Sequence, residues 1–124
     1  GNFQKLKRIA KLSPIFPDIE NERSMIYIDN LCEFIKQVID NEKSGIFYPQ
    51  NKEYVSTKQI IQVMSDSMNK KTHFIKLFNP ILKLMAKKVN LINKVFGTKI
   101  YAKDLSEKFD YVVIDNEESI RRSI

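Results

Sequence analysis

Arg23 is the residue whose type and setting first suggest chemistry. It opens the stretch Arg23-Ser24-Met25-Ile26-Tyr27-Ile28-Asp29-Asn30-Leu31, in which a short apolar run follows the charge and Asp-Asn precedes an amphipathic pattern. Met, Ile and Tyr suit a pleated, half-buried surface, so residues 24–28 predict a strand. Asp29 or Asn30 is placed to cap the next helix, with Glu33 at capping-box spacing from Asn30. A strand and a capped helix would hold Arg23 on the rim of a sheet, where a guanidinium is suited to bidentate binding of a pair of phosphate oxygens. Other reactive side chains offer less. His73, the only histidine, has no neighbouring Cys, Glu or second His and reads as structural. Cys32, the one cysteine, rules out an internal disulfide and a cysteine-based zinc site, and reads as a small packing residue on a helix. Asp18, Glu20 and Glu22 share a polar loop but lack the ligand spacing of a cation loop, and read as solvated.

The elements that must position Arg23 follow from periodicity. Phe3, Leu6, Ile9 and Leu12 recur three apart among Lys5, Lys7, Arg8 and Lys11, an amphipathic helix for which Asn2 is a natural N-cap. Pro14 and Pro17 make the intervening Ile15 and Phe16 extended, and on composition alone Phe16 reads as core. Leu31, Phe34, Ile35, Val38 and Ile39 predict a helix to about residue 41, with Gly45 as a stop or turn. Residues 46–48 predict a short strand ended by Pro49. Ser56 and Gln59 form a capping box for a helix to about residue 68, and residues 72–78 predict a strand. Asn79-Pro80 starts a helix that keeps an apolar face to Phe96, with a break near Val89-Asn90 and an end at Gly97. Residues 101–109 read as loop and 111–114 as strand. Asp115 or Asn116 caps a last helix, with Glu117 and Glu118 in its first turn and Arg121 and Arg122 in its last. The predicted fold class is α+β, four to five helices with a small set of short strands in one domain over residues 1–124.

Composition bounds the partners. A chain of 124 residues with 43% hydrophobic and 29% charged residues is ordinary for a soluble domain with one core. Its net charge of +6 is concentrated: residues 67–103 hold nine lysines and no Asp or Glu. Such a region permits an anionic partner. The helix starting at Asn79 reads either as a packed helix with a solvated face or as a surface resting on anionic lipid. Size favours packing, since so small a domain needs that apolar face for its own core. With no apolar run able to span a bilayer and no signal peptide, the cytoplasm is the expected compartment. The start at Gly1-Asn2, directly into a helical pattern, suggests a cut from a longer polypeptide and also fits a glycine left by tag removal.

The 23–31 stretch resembles the Arg-Asp-(aromatic or aliphatic)-Ile-(His/Tyr)-Val-x-Asp-(Leu/Val) segment of extended short-chain dehydrogenase/reductases. These are the NAD-dependent nucleotide-sugar epimerases and dehydratases, with UDP-glucose 4-epimerase as the familiar member. The resemblance runs nearly end to end and is specific near residues 23–31. It implies the carboxy-terminal, substrate-binding half of such an enzyme, the Rossmann half being absent, with a place in surface polysaccharide biosynthesis. It further implies that Arg23 and Asn2 clamp the diphosphate of a UDP-sugar, Asn2 by opening a helix whose free N–H groups suit an anion. Ile15 and Phe16 match the segment beside the uracil ring. Residues 46–48 match a strand that pairs with the nucleotide-binding sheet, an edge left empty here. The family's Arg-x-Gly-Asp segment is not present after Phe78, where Asn-Pro-Ile-Leu-Lys-Leu stands instead.

The complete enzyme would oxidise a sugar carbon with NAD and reduce it again, or eliminate water first. Three glycines cannot supply a dinucleotide fingerprint, and the family's Tyr-x-x-x-Lys acid/base couple is read as absent too. NAD is thus expected in the full-length parent and no cofactor, metal or catalytic residue in this chain. The implied partners are the nucleotide-sugar substrate, the NAD-binding half of the same chain, and a homodimer of the parent. The alternative is a small basic module binding nucleic acid or anionic membrane through residues 67–103. Its aromatics, Phe74, Phe78 and Phe96, are sparse for a single-strand binder and no nucleic-acid motif appears, so contact with a membrane surface is the stronger form.

Overall fold

Side-chain caps decide where several elements begin. The computed structural model describes residues 2–105 and 109–124. It comprises α1 (Asn2–Leu12), β1 (Ile15–Pro17), α2 (Ile28–Asp40), α3 (Thr57–Ser67), β2 (His73–Ile75), α4 (Asn79–Ala86), α5 (Asn90–Phe96), a 3-10 turn (Lys103–Leu105) and α6 (Asn116–Ser123). α3 opens on a complete capping box: the Gln59 N–H donates to Ser56 Oγ at 3.0 Å, and the Ser56 N–H donates to Gln59 Oε1 at 2.8 Å. α6 opens on Asp115, whose carboxylate accepts from the Glu118 N–H at 2.9 Å. Arg121 and Arg122 pair back one turn to Glu117 and Glu118, each at 2.8 Å.

The architecture is α+β. β1 and β2 form a parallel pair with Phe16 opposite Phe74. The core gathers Leu6 and Ala10 of α1, Phe16 of β1, Ile60, Ile61 and Met64 of α3, Val95 of α5 and Ile120 of α6. Ile61 and Met64 are wholly buried, and truncating either to Ala would cost about 2–5 kcal/mol. α2 is seated differently. Its buried Phe34 meets Phe47, Phe109 and Tyr111 at ring-centroid distances of 5.6, 6.0 and 4.9 Å.

Among the described residues six α-helices form where four to five are expected, because the apolar pattern over residues 79–96 is cut at Val89 (φ −120°, ψ 105°) into α4 and α5. Three expected strands do not form. Residues 24–27 carry no ladder and α2 starts at Ile28, with Tyr27 at its N-cap and no side-chain cap from Asp29 or Asn30. One residue takes up two of their backbone bonds: the Asn51 N–H donates to Met25 O at 2.6 Å, and the Tyr27 N–H donates to Asn51 Oδ1 at 3.1 Å. Residues 46–48 are irregular, and Ile46 is 84% exposed. Residues 111–114 are also irregular. The N–H groups of Val113 and Ile114 both donate to the buried Asn30 Oδ1 at 2.9 Å, so a side chain replaces a partner strand. Residues 106–108, in the segment expected to precede the last helix, lie outside the described residues.

The expectation that the apolar face of residues 79–96 serves the core holds for α5 and fails for α4. Val95 is buried and Phe96 packs on Phe16, whereas none of the described α4 side chains is buried. Cys32, expected to pack, is exposed, because it shares the outward face of α2 with Ile28, Ile35 and Ile39. Among the described residues no helix is long and apolar enough to cross a membrane.

Candidate functional site

The backbone of Arg23 is held from two sides. Its N–H donates to Val55 O at 2.9 Å and the Val55 N–H donates back at 3.0 Å, an isolated antiparallel bridge. Across from that, the Lys99 N–H donates to Glu22 O at 2.9 Å and the Ser24 N–H to Lys99 O at 3.0 Å. The side chain is half-buried, and its Nη1 donates to Gly97 O at 2.9 Å. That carbonyl caps the C-terminus of α5, where a cation suits the helix dipole. Burial pushes the guanidinium below its ordinary pKa, and it stays protonated at neutral pH. Among the described residues no carboxylate pairs with it: the ion pairs are Lys58–Asp18, Arg121–Glu117 and Arg122 with Glu118 and Asp29.

Gly97 is required at this junction, since a Cβ there would collide with both the side chain and the carbonyl of Asn93. Its carbonyl also accepts from Asn21 Nδ2 at 3.2 Å. Asn21 reaches on to α3, donating to Thr57 Oγ1 at 2.9 Å and accepting the Thr57 N–H at 2.8 Å. One buried amide thus ties the start of α3 and the end of α5 to the Arg23 segment.

The other expected site residues lie at varied depth. Asn2 is exposed and is the first residue of α1. Ile15 is 48% exposed on β1. Phe16 is buried in the core, its ring 6.2 Å from Phe74 and 5.5 Å from Phe96. Phe16 and Arg23 therefore meet the same Phe96-Gly97 corner, one by ring contact and one by hydrogen bond. The start of α1 approaches the Arg23 segment through a hollow of about 290 Å³ that Phe3, Met25 and Tyr27 line together. A larger cleft of about 610 Å³ borders the other side, where Glu20 and Glu22 disfavour an anion. The cleft of about 430 Å³ between α3 and α6 is also acid-lined, by Glu53, Asp115 and Glu117.

A second polar knot escapes the sequence reading. Asn30 Nδ2 donates to Asn51 Oδ1 at 2.9 Å and to Ile114 O at 2.8 Å, and Asn51 Nδ2 donates to Asn116 Oδ1 at 2.7 Å. The Tyr111 hydroxyl bridges the Gln50 backbone, accepting from its N–H at 3.0 Å and donating to its carbonyl at 2.9 Å. Lys103 Nζ donates to Asn51 O at 2.9 Å and sits 4.3 Å from the Tyr54 ring centroid. Burial lowers its pKa, with Glu53 opposing. The available signal was Asn30 itself, an amide one turn before Phe34 on the inward face of a helix.

The Tyr-x-x-x-Lys spacing, read as absent, in fact occurs twice, at Tyr48/Lys52 and Tyr54/Lys58. An acid/base couple at that spacing needs one helical face, and both tyrosines precede α3 in irregular chain or an isolated bridge region. Lys58 pairs with Asp18 at 2.7 Å and the Tyr54 hydroxyl donates to Tyr101 O at 2.8 Å, so that pair is engaged elsewhere. His73 is exposed on β2, and no metal-holding group of three His, Cys, Asp or Glu occurs among the described residues. Compared with protein-family models, curated proteins and solved structures, the chain matches none.

Proposed function

We propose that this chain is the nucleotide-sugar recognition part of a cytoplasmic NAD-dependent sugar epimerase or dehydratase, in which Arg23 grips the diphosphate of a UDP-sugar. The observation that carries the reading is Arg23 itself: a doubly bridged backbone and a protonated guanidinium bonded to a carbonyl, with no carboxylate partner among the described residues. A planar cation fixed in this way gives up little freedom when it binds a phosphate. Asn2 supports it by opening α1, whose first N–H groups suit an anion, beside the hollow that Phe3 shares with Met25. Ile15 offers an exposed apolar contact for the base, with Phe16 bracing it from the core.

In this reading NAD and hydride transfer belong to the NAD-binding half of the same chain, within a homodimeric parent of surface polysaccharide biosynthesis. The exposed Ile46 and the outward Ile28, Ile35 and Ile39 of α2 are apolar surfaces that such a half would cover. Calorimetric titration of UDP-glucose into the chain tests the proposal. Arg23→Ala is expected to weaken binding by about 1.5–3 kcal/mol, the scale of a charged hydrogen bond. Arg23→Lys should fall between, since it keeps charge and loses the fork. Equal affinity for all three folded proteins, or no binding by any, removes the reading.

A further inference from the structure

We propose that α4 and its flanks form a peripheral membrane-binding element, an exposed apolar face in a lysine-rich segment that lies in the interface of an anionic phospholipid bilayer. The inference goes beyond the nucleotide-sugar reading and does not rest on it. Ile81, Leu84 and Met85, at i, i+3 and i+4, lie on one side of α4, and Leu77 and Phe78 stand in the turn that leads into it. All five are exposed, Leu77 by 77% and Leu84 by 66%. α4 meets the body of the protein through α5 and through Asn79 Nδ2, which donates to Asp18 O at 2.6 Å. The apolar side is therefore presented outward from a helix already anchored along another side.

Charge selects the occupant. Lys76, Lys83, Lys87 and Lys88 are all exposed on or beside α4, Lys83 on the side of the helix away from Ile81, Leu84 and Met85, and no Asp or Glu occurs from residue 67 to residue 103. The ion pairs among the described residues lie elsewhere. Lysine stems cover apolar surface while their ammonium groups rise to phosphate level, which is how a basic amphipathic helix sits in a headgroup layer. A second copy is a poor occupant, because a two-fold contact would set lysine against lysine. Nucleic acid is poorer still. Phe74 and Phe96 are turned onto Phe16, and among the described residues no ring contact of Phe78 builds a stacking platform.

The test is co-sedimentation of the full 124-residue chain with vesicles of phosphatidylcholine and phosphatidylglycerol in equal parts, and with phosphatidylcholine alone. Retention is expected on the mixed vesicles only, and it should fall as salt rises. Replacing Lys83, Lys87 and Lys88 by Ser should weaken it at least about tenfold. Ile81→Asp with Leu84→Asp should abolish it while leaving the circular dichroism and melting temperature unchanged, since neither side chain is buried. Equal retention on neutral vesicles, retention on neither, or indifference to the aspartates overturns the proposal. So does binding only to RNA, to an acidic protein, or to a second copy seen by sedimentation equilibrium.

Discussion

Among the described residues α2 and α4 each turn an apolar face outward, and the charges beside those faces differ. Ile28, Ile35 and Ile39 of α2 stand among charges of both signs: Asp29, Glu33, Lys36 and Asp40. The segment that carries the α4 face, residues 67–103, holds lysines and no Asp or Glu. A mixed rim suits another folded surface, where opposite charges can be matched in register. A rim of one sign suits a surface that is itself uniformly charged, and a lipid headgroup layer is one. Their seating differs as well. α2 is held from behind by Phe34 and Asn30, whereas no described side chain of α4 is buried.

The strongest way to break the comparison is at the seat of α2. Phe34→Ala removes the ring that joins Phe47, Phe109 and Tyr111, and should cost about 3–5 kcal/mol in urea unfolding. Asn30→Ala comes next. It leaves the N–H groups of Val113 and Ile114 and an Ile114 carbonyl without their partner, an expected loss of about 1–3 kcal/mol, with those amides exchanging faster with solvent. Leu84→Ala on α4 should change stability by less than about 0.5 kcal/mol, and an effect on the scale of Phe34→Ala would show that α4 is seated after all. Smallest of all, Cys32 should react with a thiol reagent in the native protein at the rate of an exposed thiol and leave the melting temperature unmoved.

What was legible in the sequence divides along the same physical line. The helices are, because their hydrogen bonds and caps are local. Ser56 with Gln59, Asp115 with Glu118, and the break at Val89-Asn90 can all be read from a few consecutive residues. The strands over residues 24–28, 46–48 and 111–114 are not, because a strand exists only by its neighbour. Where the described chain offers no neighbour, the Asn51 side chain bonds the Tyr27 N–H and the Asn30 side chain bonds Val113 and Ile114, and nothing in their local spacing announces that role. For the site, the place of Arg23 beside α2 is readable. Its tie to Gly97 joins positions far apart in sequence and is not.

Amide chemical-shift mapping of the chain titrated with UDP tests the central claim most directly. Diphosphate recognition predicts that the largest shifts gather at the first turn of α1, at Arg23 and at Gly97, and that they vanish in Arg23→Ala. Shifts confined to residues 76–88, or the same pattern persisting in Arg23→Ala, would contradict it.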